Sequence, residues 1–204
     1  MEHYHHAPLR MLIHLLSVLL AIGCASPTGP VSAPPAGSSP LDPASGLMLP
    51  ALSDQDQRTY LGIDAPGEFP LTDIRAEVVV IEVFSMYCPH CQHEAPNVNR
   101  FYQRIAADSS LNGRIKIIGI GAGNTRYEVD TFRKRFNIQF PLFPDRSRQL
   151  ARQLDVRVTP TFVAYTYTTD GTLHRILNAP GSLGNVEDFL TRLIERAYLK
   201  NNTP

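Results

Sequence analysis

Two cysteines separated by two residues carry the clearest chemical signal in this chain. Cys88 and Cys91 enclose the dipeptide Pro-His and follow the apolar run 78–84, Val-Val-Val-Ile-Glu-Val-Phe. Pro89 suits the first turn of a helix. Cys88 is therefore predicted at a helix N-terminus, where unpaired N–H groups and the helix dipole favour a thiolate. The spacing predicts a redox pair in which Cys88 is the nucleophile and the less exposed Cys91 resolves the mixed disulfide.

Two ionisable residues near the cysteines have types that could tune this chemistry. His90 lies between the thiols, and its imidazole could stabilise the Cys88 thiolate, which makes the pair more oxidising by about 30 mV per 1.4 kcal/mol; the alternative is a solvent-facing turn histidine. Glu82 interrupts the apolar run six residues before Cys88. A buried carboxyl there would have a raised pKa and could exchange a proton with Cys91; the alternative is a solvated residue at a sheet edge.

Composition limits the kinds of protein that the chain can be. Its 204 residues are 43% hydrophobic and 19% charged, which indicates one globular domain with an appendage. The 19 basic residues balance 19 acidic ones, so the electrostatics argue against nucleic acid as a partner. No apolar run reaches the roughly 18 residues of a spanning helix. The chain has three cysteines and no second C-x-x-C or Cys/His pair that could complete a zinc site with Cys88 and Cys91. No metal or cofactor is therefore predicted beyond the redox-active disulfide.

The N-terminal residues predict an export signal with an anchor. Arg10 precedes about 13 mostly apolar residues that have the length and flanks of a signal peptide. The run Leu20–Cys24 resembles the lipobox of bacterial lipoproteins, which implies a lipid on Cys24 and attachment to a membrane. The alternative is an ordinary cleaved signal in which Cys24 is incidental. By the same resemblance, Ala25 favours the outer over the inner membrane.

Composition also predicts the domain boundaries. Residues 1–23 are assigned to the signal peptide, 24–50 to the lipidated cysteine and a linker, and 51–204 to the folded domain. The linker is rich in Pro, Ser, Ala and Gly and cannot bury enough apolar surface to offset the entropy of ordering it. A tethered, periplasm-facing domain in a bacterial cell envelope is the predicted arrangement.

Strands alternate with helices from about residue 52 onward. The periodicity predicts the strands 78–84 and 114–120, the helices 125–136 and 146–154, and a hairpin of strands 162–168 and 172–177 around Asp170-Gly171. One helix begins at Pro89, and the last begins after a capping Asn185. This order predicts an α/β domain with a central mixed β-sheet and helices on both faces.

These residues resemble the thioredoxin superfamily. The segment Ile81–Cys91 is very similar to the active-site segment of DsbA-type oxidases, including the acid six residues before the first cysteine. Pro96 corresponds to the superfamily's helix-kinking proline, and Val158–Thr161 resembles its cis-proline loop. The resemblance implies that the Thr159–Pro160 peptide is cis and faces the disulfide, and that the Thr159 backbone pairs with an extended substrate segment.

The spacing between the motifs points to one branch of the superfamily. Cys88 and Pro160 are 72 residues apart, which accommodates a β-α insertion between the active-site helix and the cis-proline loop, as in TlpA/ResA-like proteins. The chain thus looks like a TlpA-like scaffold with a DsbA-like active site. It departs from the TlpA pattern at Tyr87, where those proteins usually have Trp.

A cell-envelope thiol-disulfide oxidoreductase acting on protein thiols and disulfides, with an unidentified redox partner, is the predicted function. Pro-His favours an oxidase, whereas TlpA-like relatives commonly reduce particular partners, for example in cytochrome c maturation. Three alternatives are a peroxidase with Ser85 near its cysteine, an SCO-like copper-binding module using Cys88, Cys91 and His174, and a purely structural disulfide. The two-residue cysteine spacing counts against the copper module, and the helix-terminal setting counts against the structural disulfide.

Overall fold

The computed structural model describes residues 42–167 and 171–201. It contains seven strands: β1 (Met48–Leu49), β2 (Phe69–Pro70), β3 (Val78–Phe84), β4 (Ile115–Ala122), β5 (Leu142–Asp145), β6 (Thr161–Tyr167) and β7 (Leu173–Pro180). Its five α-helices are α1 (Gln55–Leu61), α2 (Pro89–Ala106), α3 (Arg126–Phe136), α4 (Gln149–Gln153) and α5 (Val186–Asn201). No helix in these two ranges is both long and apolar enough to cross a bilayer.

The main sheet has five strands in the order β5-β4-β3-β6-β7. Strands β3, β4 and β5 run parallel, and β6 and β7 are antiparallel to their neighbours. The prediction of a mixed sheet is confirmed. Two strand–helix pairs, β4–α3 and β5–α4, lie between α2 and the Thr159–Pro160 loop, so the predicted insertion is present.

Helices cover both faces of this sheet, as predicted. The residues of β3 alternate: Val78, Val80 and Phe84 pack with α2, α3 and α5, whereas Val79, Ile81 and Val83 pack with α4 and the N-terminal segment. All seven residues of β3 are buried, which explains why the strand is apolar at every position except Glu82 rather than alternating in polarity. Glu82 belongs to the same side as Val80 and Phe84, so its carboxyl lies under α2.

Helix boundaries follow local capping signals. Pro89 occupies the first turn of α2 with Cys88 as the cap residue, and Pro96 lies inside that helix. Thr125 and Glu128 form a capping box at the start of α3. The Asn185 side chain accepts the N–H groups at the start of α5, as predicted. These signals are short-range, which is why the starts of α2, α3 and α5 agree with the sequence prediction, whereas α4, which has no side-chain cap, begins at Gln149 rather than at the predicted residue 146.

The predicted linker ends too late. Residues 43–49, which composition assigns to the linker, form a short 3₁₀ turn and β1, which pairs with β2. Ala44, Leu47 and Leu49 are fully buried against the second face of the sheet. Because prolines flank these three apolar residues, the composition of the segment as a whole resembles that of a linker. The signal peptide, Cys24, the linker up to residue 41 and the hairpin residue Asp170 lie outside the described residues.

Candidate active site

The paired cysteines lie where β3 leads into α2. Cys88 caps the helix and is half-buried, and Cys91, one turn later, is fully buried. The turn between strand and helix is closed by the Cys88 N–H, which donates to the Ser85 carbonyl at 3.1 Å. The strand therefore delivers one thiol to the surface and places the other beneath it.

The environment of Cys88 favours its thiolate. Burial alone would raise the pKa of this thiol, but hydrogen bonds from the Thr159 side chain and from the Cys91 and His90 backbone outweigh that cost and lower its pKa. When protonated, the thiol donates to the Thr159 carbonyl at 3.3 Å. Because the thiolate is the nucleophile in disulfide exchange, the geometry activates Cys88.

Cys91 has the opposite environment. Burial is the largest effect on its thiol, and together with Cys88 and Glu82 it raises the pKa of Cys91 to about 12. A hydrogen bond from the Ser85 N–H acts in the opposite direction but does not offset the burial. Cys91 stays protonated at neutral pH until a base removes its proton. The two thiols are thus chemically distinct: the site favours the thiolate of Cys88 and the protonated thiol of Cys91.

Glu82 is buried beneath the pair. Its side chain is 1% exposed, and its Oε1 atom has no hydrogen-bond partner among the described residues. Burial, reinforced by the charge of Glu94, raises the pKa of Glu82 to about 8. The alternative of a solvated edge residue is wrong, since β3 is the central strand and has neighbours on both sides. A carboxyl with this pKa can both accept and donate a proton near neutral pH.

The loop before β6 faces Cys88. The Thr159–Pro160 peptide is cis, as the resemblance to thioredoxins implies. The Pro160 carbonyl accepts the Gly181 N–H at 2.8 Å, and the Thr161 hydroxyl donates to the Val158 carbonyl at 2.8 Å. Both bonds hold the loop against the sulfur of Cys88, which is 71 residues away in sequence.

His90 and Pro89 lie exposed in the first turn of α2. The contact of His90 with the Cys88 sulfur is made by its backbone N–H, which helps to lower the Cys88 pKa. A role of the imidazole in tuning the pair stays a prediction.

Sequence reasoning missed two residues that hold the loop before Cys88. The Met86 N–H donates to the Asn124 side chain at 2.9 Å, and the Met86 carbonyl accepts from the Gln92 side chain at 2.7 Å. Asn124 is fully buried and follows β4. Its position was a usable signal, because β3 and β4 are parallel and their carboxyl ends meet at one edge of the sheet.

Glu94, also missed, ties α2 to the loop after β7. Its carboxylate accepts hydrogen bonds from the Ser182 hydroxyl at 2.7 Å, the Leu183 N–H at 3.1 Å and the Asn97 amide at 2.9 Å. The side chain is 5% exposed. Its spacing of three residues from Cys91 places it on the buried helix face, which is the signal that the sequence offered.

The residues proposed for a copper site are not brought together. His174 in β7 pairs with Thr166 in β6, and Thr166 pairs with Val78 at the start of β3. Cys88 follows the end of β3, so His174 and Cys88 lie at opposite ends of the sheet. Within residues 42–167 and 171–201, no group of three or more His, Cys, Asp and Glu side chains could hold a metal ion. The peroxidase alternative would have Ser85 beside the nucleophilic cysteine. The Ser85 hydroxyl instead accepts a hydrogen bond from the Tyr87 N–H, and the backbone N–H of Ser85 donates to the sulfur of Cys91 rather than of Cys88.

A two-cysteine site at the first turn of a helix, facing a cis-proline loop on a mixed sheet, defines a thioredoxin-like thiol-disulfide oxidoreductase. The model of the AhpC/TSA family matches residues 46–174, more than half of the chain. The protein belongs to that family.

Curated relatives agree with this class. The chain is 24% identical over 123 residues to the thiol-disulfide oxidoreductase ResA of Geobacillus thermodenitrificans, covering 60% of this chain and 67% of the relative. It is 20% identical over 138 residues to ResA of Bacillus subtilis, covering 63% and 73% respectively.

Two solved structures share the fold. One is DsbF of Mycobacterium tuberculosis, with a TM-score of 0.54, 14% identity, and coverage of 76% of this chain and 98% of that one. The other is a secreted M. tuberculosis disulfide oxidoreductase homologous to E. coli DsbE, with a TM-score of 0.52, 19% identity and the same coverage.

Proposed function

We propose that this protein exchanges disulfides with extended segments of protein substrates in the bacterial cell envelope, and that it acts as an oxidase. The carrying observation is the contrast between the two thiols: Cys88 is half-buried, touches the cis-proline loop and has a lowered pKa, whereas Cys91 is buried with a pKa of about 12. A structural disulfide needs no such contrast.

In the oxidase direction the protein begins with the Cys88–Cys91 disulfide. A substrate thiolate attacks the Cys88 sulfur, the Cys88–Cys91 bond breaks, and Cys91 leaves with the electron pair and takes up a proton. A second substrate thiolate then attacks the substrate sulfur of the mixed disulfide and releases the Cys88 thiolate. The substrate is oxidised by two electrons and the cysteine pair is reduced by two.

Glu82 supplies the proton that Cys91 requires. A departing Cys91 thiolate in a buried site would be unstable, and a neighbouring carboxyl with a pKa of about 8 is a suitable donor. In the reverse direction the same carboxylate accepts the Cys91 proton, so that Cys91 can resolve a mixed disulfide on Cys88.

The lowered pKa of Cys88 supports the oxidase direction. Stabilising the thiolate stabilises the reduced protein, and a more stable reduced form makes the disulfide more oxidising. The second candidate is a reductase for one particular partner, for example in cytochrome c maturation. The similarity to ResA favours this reductase. The elements β4, α3, β5 and α4 between α2 and the cis-proline loop also favour it, because the spacing between these motifs is that of TlpA-like proteins.

The reduction potential of the pair separates the two directions. We expect the chain without residues 1–23, carrying Cys24→Ser to leave two thiols, to equilibrate with glutathione buffers at a potential between about −120 and −200 mV, the range of DsbA and protein disulfide isomerase. A potential near the roughly −270 mV of thioredoxin would contradict the oxidase proposal and support the reductase.

Membrane attachment through Cys24 is the proposed means of localisation. Asp42 lies 3.8 Å from Arg175, whose register partner Tyr165 pairs with Val79 near the start of β3. Asp42, the first described residue, therefore lies at the opposite end of the sheet from Cys88. We expect Cys24→Ser to move the protein from the membrane to the soluble fraction; unchanged fractionation would contradict the lipid anchor.

A further inference from the structure

A groove runs from the active site along the exposed side of α2. Its volume is about 970 Å³, and it begins at His90, Thr159 and Pro160 beside Cys88. Its far end is lined by Asn97, Arg100 and the loop at Gly184. An extended segment whose sulfur is bonded to Cys88 has this groove as a continuation.

Arg100 is held in position at the far end. Its guanidinium donates to the Asn97 side-chain oxygen at 2.8 Å. The Asn97 amide nitrogen in turn donates to the Glu94 carboxylate and to the Gly184 carbonyl, each at 2.9 Å. Because the Asn97 amide bonds both to Glu94 on its own helix and to the loop at Gly184, its orientation and the acceptor that it offers to Arg100 are fixed before any ligand arrives.

The charges in the groove favour an anionic ligand. Arg100 is exposed and lines the groove, and among the described residues its guanidinium donates through one nitrogen, to Asn97, which leaves further N–H donors for a ligand. The carboxylate of Glu94 is buried and already accepts three hydrogen bonds.

We propose that Arg100 recognises an acidic side chain in the protein substrate, four to six residues along the chain from the reactive cysteine. This specificity rests on the proposed function, since it presupposes a substrate sulfur on Cys88. A guanidinium can bind a carboxylate through two parallel hydrogen bonds.

The distance follows from helix and strand geometry. Cys88 and Arg100 are twelve residues apart on α2, or about 18 Å at about 1.5 Å per residue. An extended peptide advances about 3.3 Å per residue, so it covers this distance in five to six residues. Side chains on a helix lean toward its N-terminus, which brings the guanidinium within reach of a residue one position closer.

The test uses peptides that contain a single cysteine and are linked as symmetric disulfide dimers. Glu, Gln or Lys is placed four to six residues from the cysteine, on its N-terminal side in one series and on its C-terminal side in another. The protein is the reduced mature chain with Cys24→Ser. The measurement is the second-order rate constant for reduction of each dimer, with dithiodipyridine as a neutral small disulfide that does not reach the groove.

In one of the two series we expect the Glu peptide to react about two- to fivefold faster than its Gln counterpart, the size of an exposed ion pair. In Arg100→Gln the Glu and Gln peptides should react at equal rates. In Arg100→Glu the Lys peptide should react faster than the Glu peptide. Arg152→Gln, a charge loss on α4 across the sheet, is the matched control and should preserve the wild-type ratio. All four proteins should react equally with dithiodipyridine.

Equal rates for Glu and Gln peptides in both series, or an unchanged ratio in Arg100→Gln, would overturn the proposed specificity. If dithiodipyridine and the peptides all fail to react with the wild-type thiols, the proposed exchange function itself is contradicted. The small disulfide thereby separates the two failures.

Discussion

Replacing Cys91 with Ser is expected to trap protein partners on Cys88 as stable mixed disulfides. Cys88 keeps its half-buried position beside the cis-proline loop and its lowered pKa in the variant, because the hydrogen bonds from Thr159 and from the helix backbone remain. A serine hydroxyl cannot attack the mixed disulfide, so multiple turnover should fall by more than about 10³-fold. The measurement is recovery of covalent complexes from the cell envelope that dissolve on adding a reductant.

Cys88→Ser is the matched control for this trap. The remaining thiol, Cys91, is buried with a pKa of about 12 and presents almost no thiolate to a partner at neutral pH. This variant should capture nothing, although it has the same number of cysteines. Equal capture by both variants would contradict the assignment of Cys88 as the nucleophile, and capture by neither would contradict exchange with proteins.

Glu82→Gln is expected to change both the pH dependence of stability and the rate of proton exchange with Cys91. In the folded protein the Glu82 carboxyl retains its proton up to a pH of about 8, whereas in the unfolded chain it loses the proton near the ordinary glutamate pKa of 4.5. The unfolded state is therefore stabilised relative to the folded state as pH rises through this interval. The free energy of unfolding should fall by on the order of 5 kcal/mol between the two pKa values.

Gln cannot ionise, so the variant should lack that decline and should be more stable than the wild type at pH 8. Denaturant unfolding at pH 5 and pH 8 measures the difference. The wild-type rate of Cys91 attack should increase through pH 8 as the carboxylate forms, and the Gln variant should be slower by about tenfold to hundredfold because a general base contributes on that scale or more.

Asp145→Asn is a suitable control for the carboxyl substitution. Asp145 is also a buried acid, but it accepts the Ala151 N–H at the start of α4 and has no contact with the cysteines. It should leave the pH profile of Cys91 attack unchanged. A wild-type-like pH profile in Glu82→Gln would rule out Glu82 as the proton carrier.

The sequence alone predicted those features of the site that local patterns encode. The β-branched run 78–84, a proline at the first helical position and the two-residue spacing place Cys88 and Cys91 at a strand–helix junction. The apolar neighbours of Glu82 in the same strand favoured its burial over the alternative of a solvated edge residue, and the structure confirms the burial. These signals work because a strand or helix end depends on residues that are adjacent in the chain.

Local patterns failed where a segment folds only through distant partners. Residues 43–49 resemble a linker by composition, yet Leu47 and Leu49 are buried because β1 pairs with β2 and covers the second sheet face. Helix α1 lacks a periodic pattern strong enough to predict it from sequence alone, since of its seven residues only Leu61 is buried.

Only the tertiary structure decided which side chains meet at the active site. It places Asn124 against the peptide before the cysteine and Arg100 at a groove beside Asn97, and it brings the Thr159 carbonyl to the Cys88 sulfur, where only the family resemblance had implied such a contact. Periodicity reports which face a side chain occupies within its own element. The contacts between elements depend on strand order and on packing across 38 residues for the Asn124 bond and 71 for the Thr159 bond. The chain thus encodes its reactive thiols locally, and folding supplies their environment and the surface beside them.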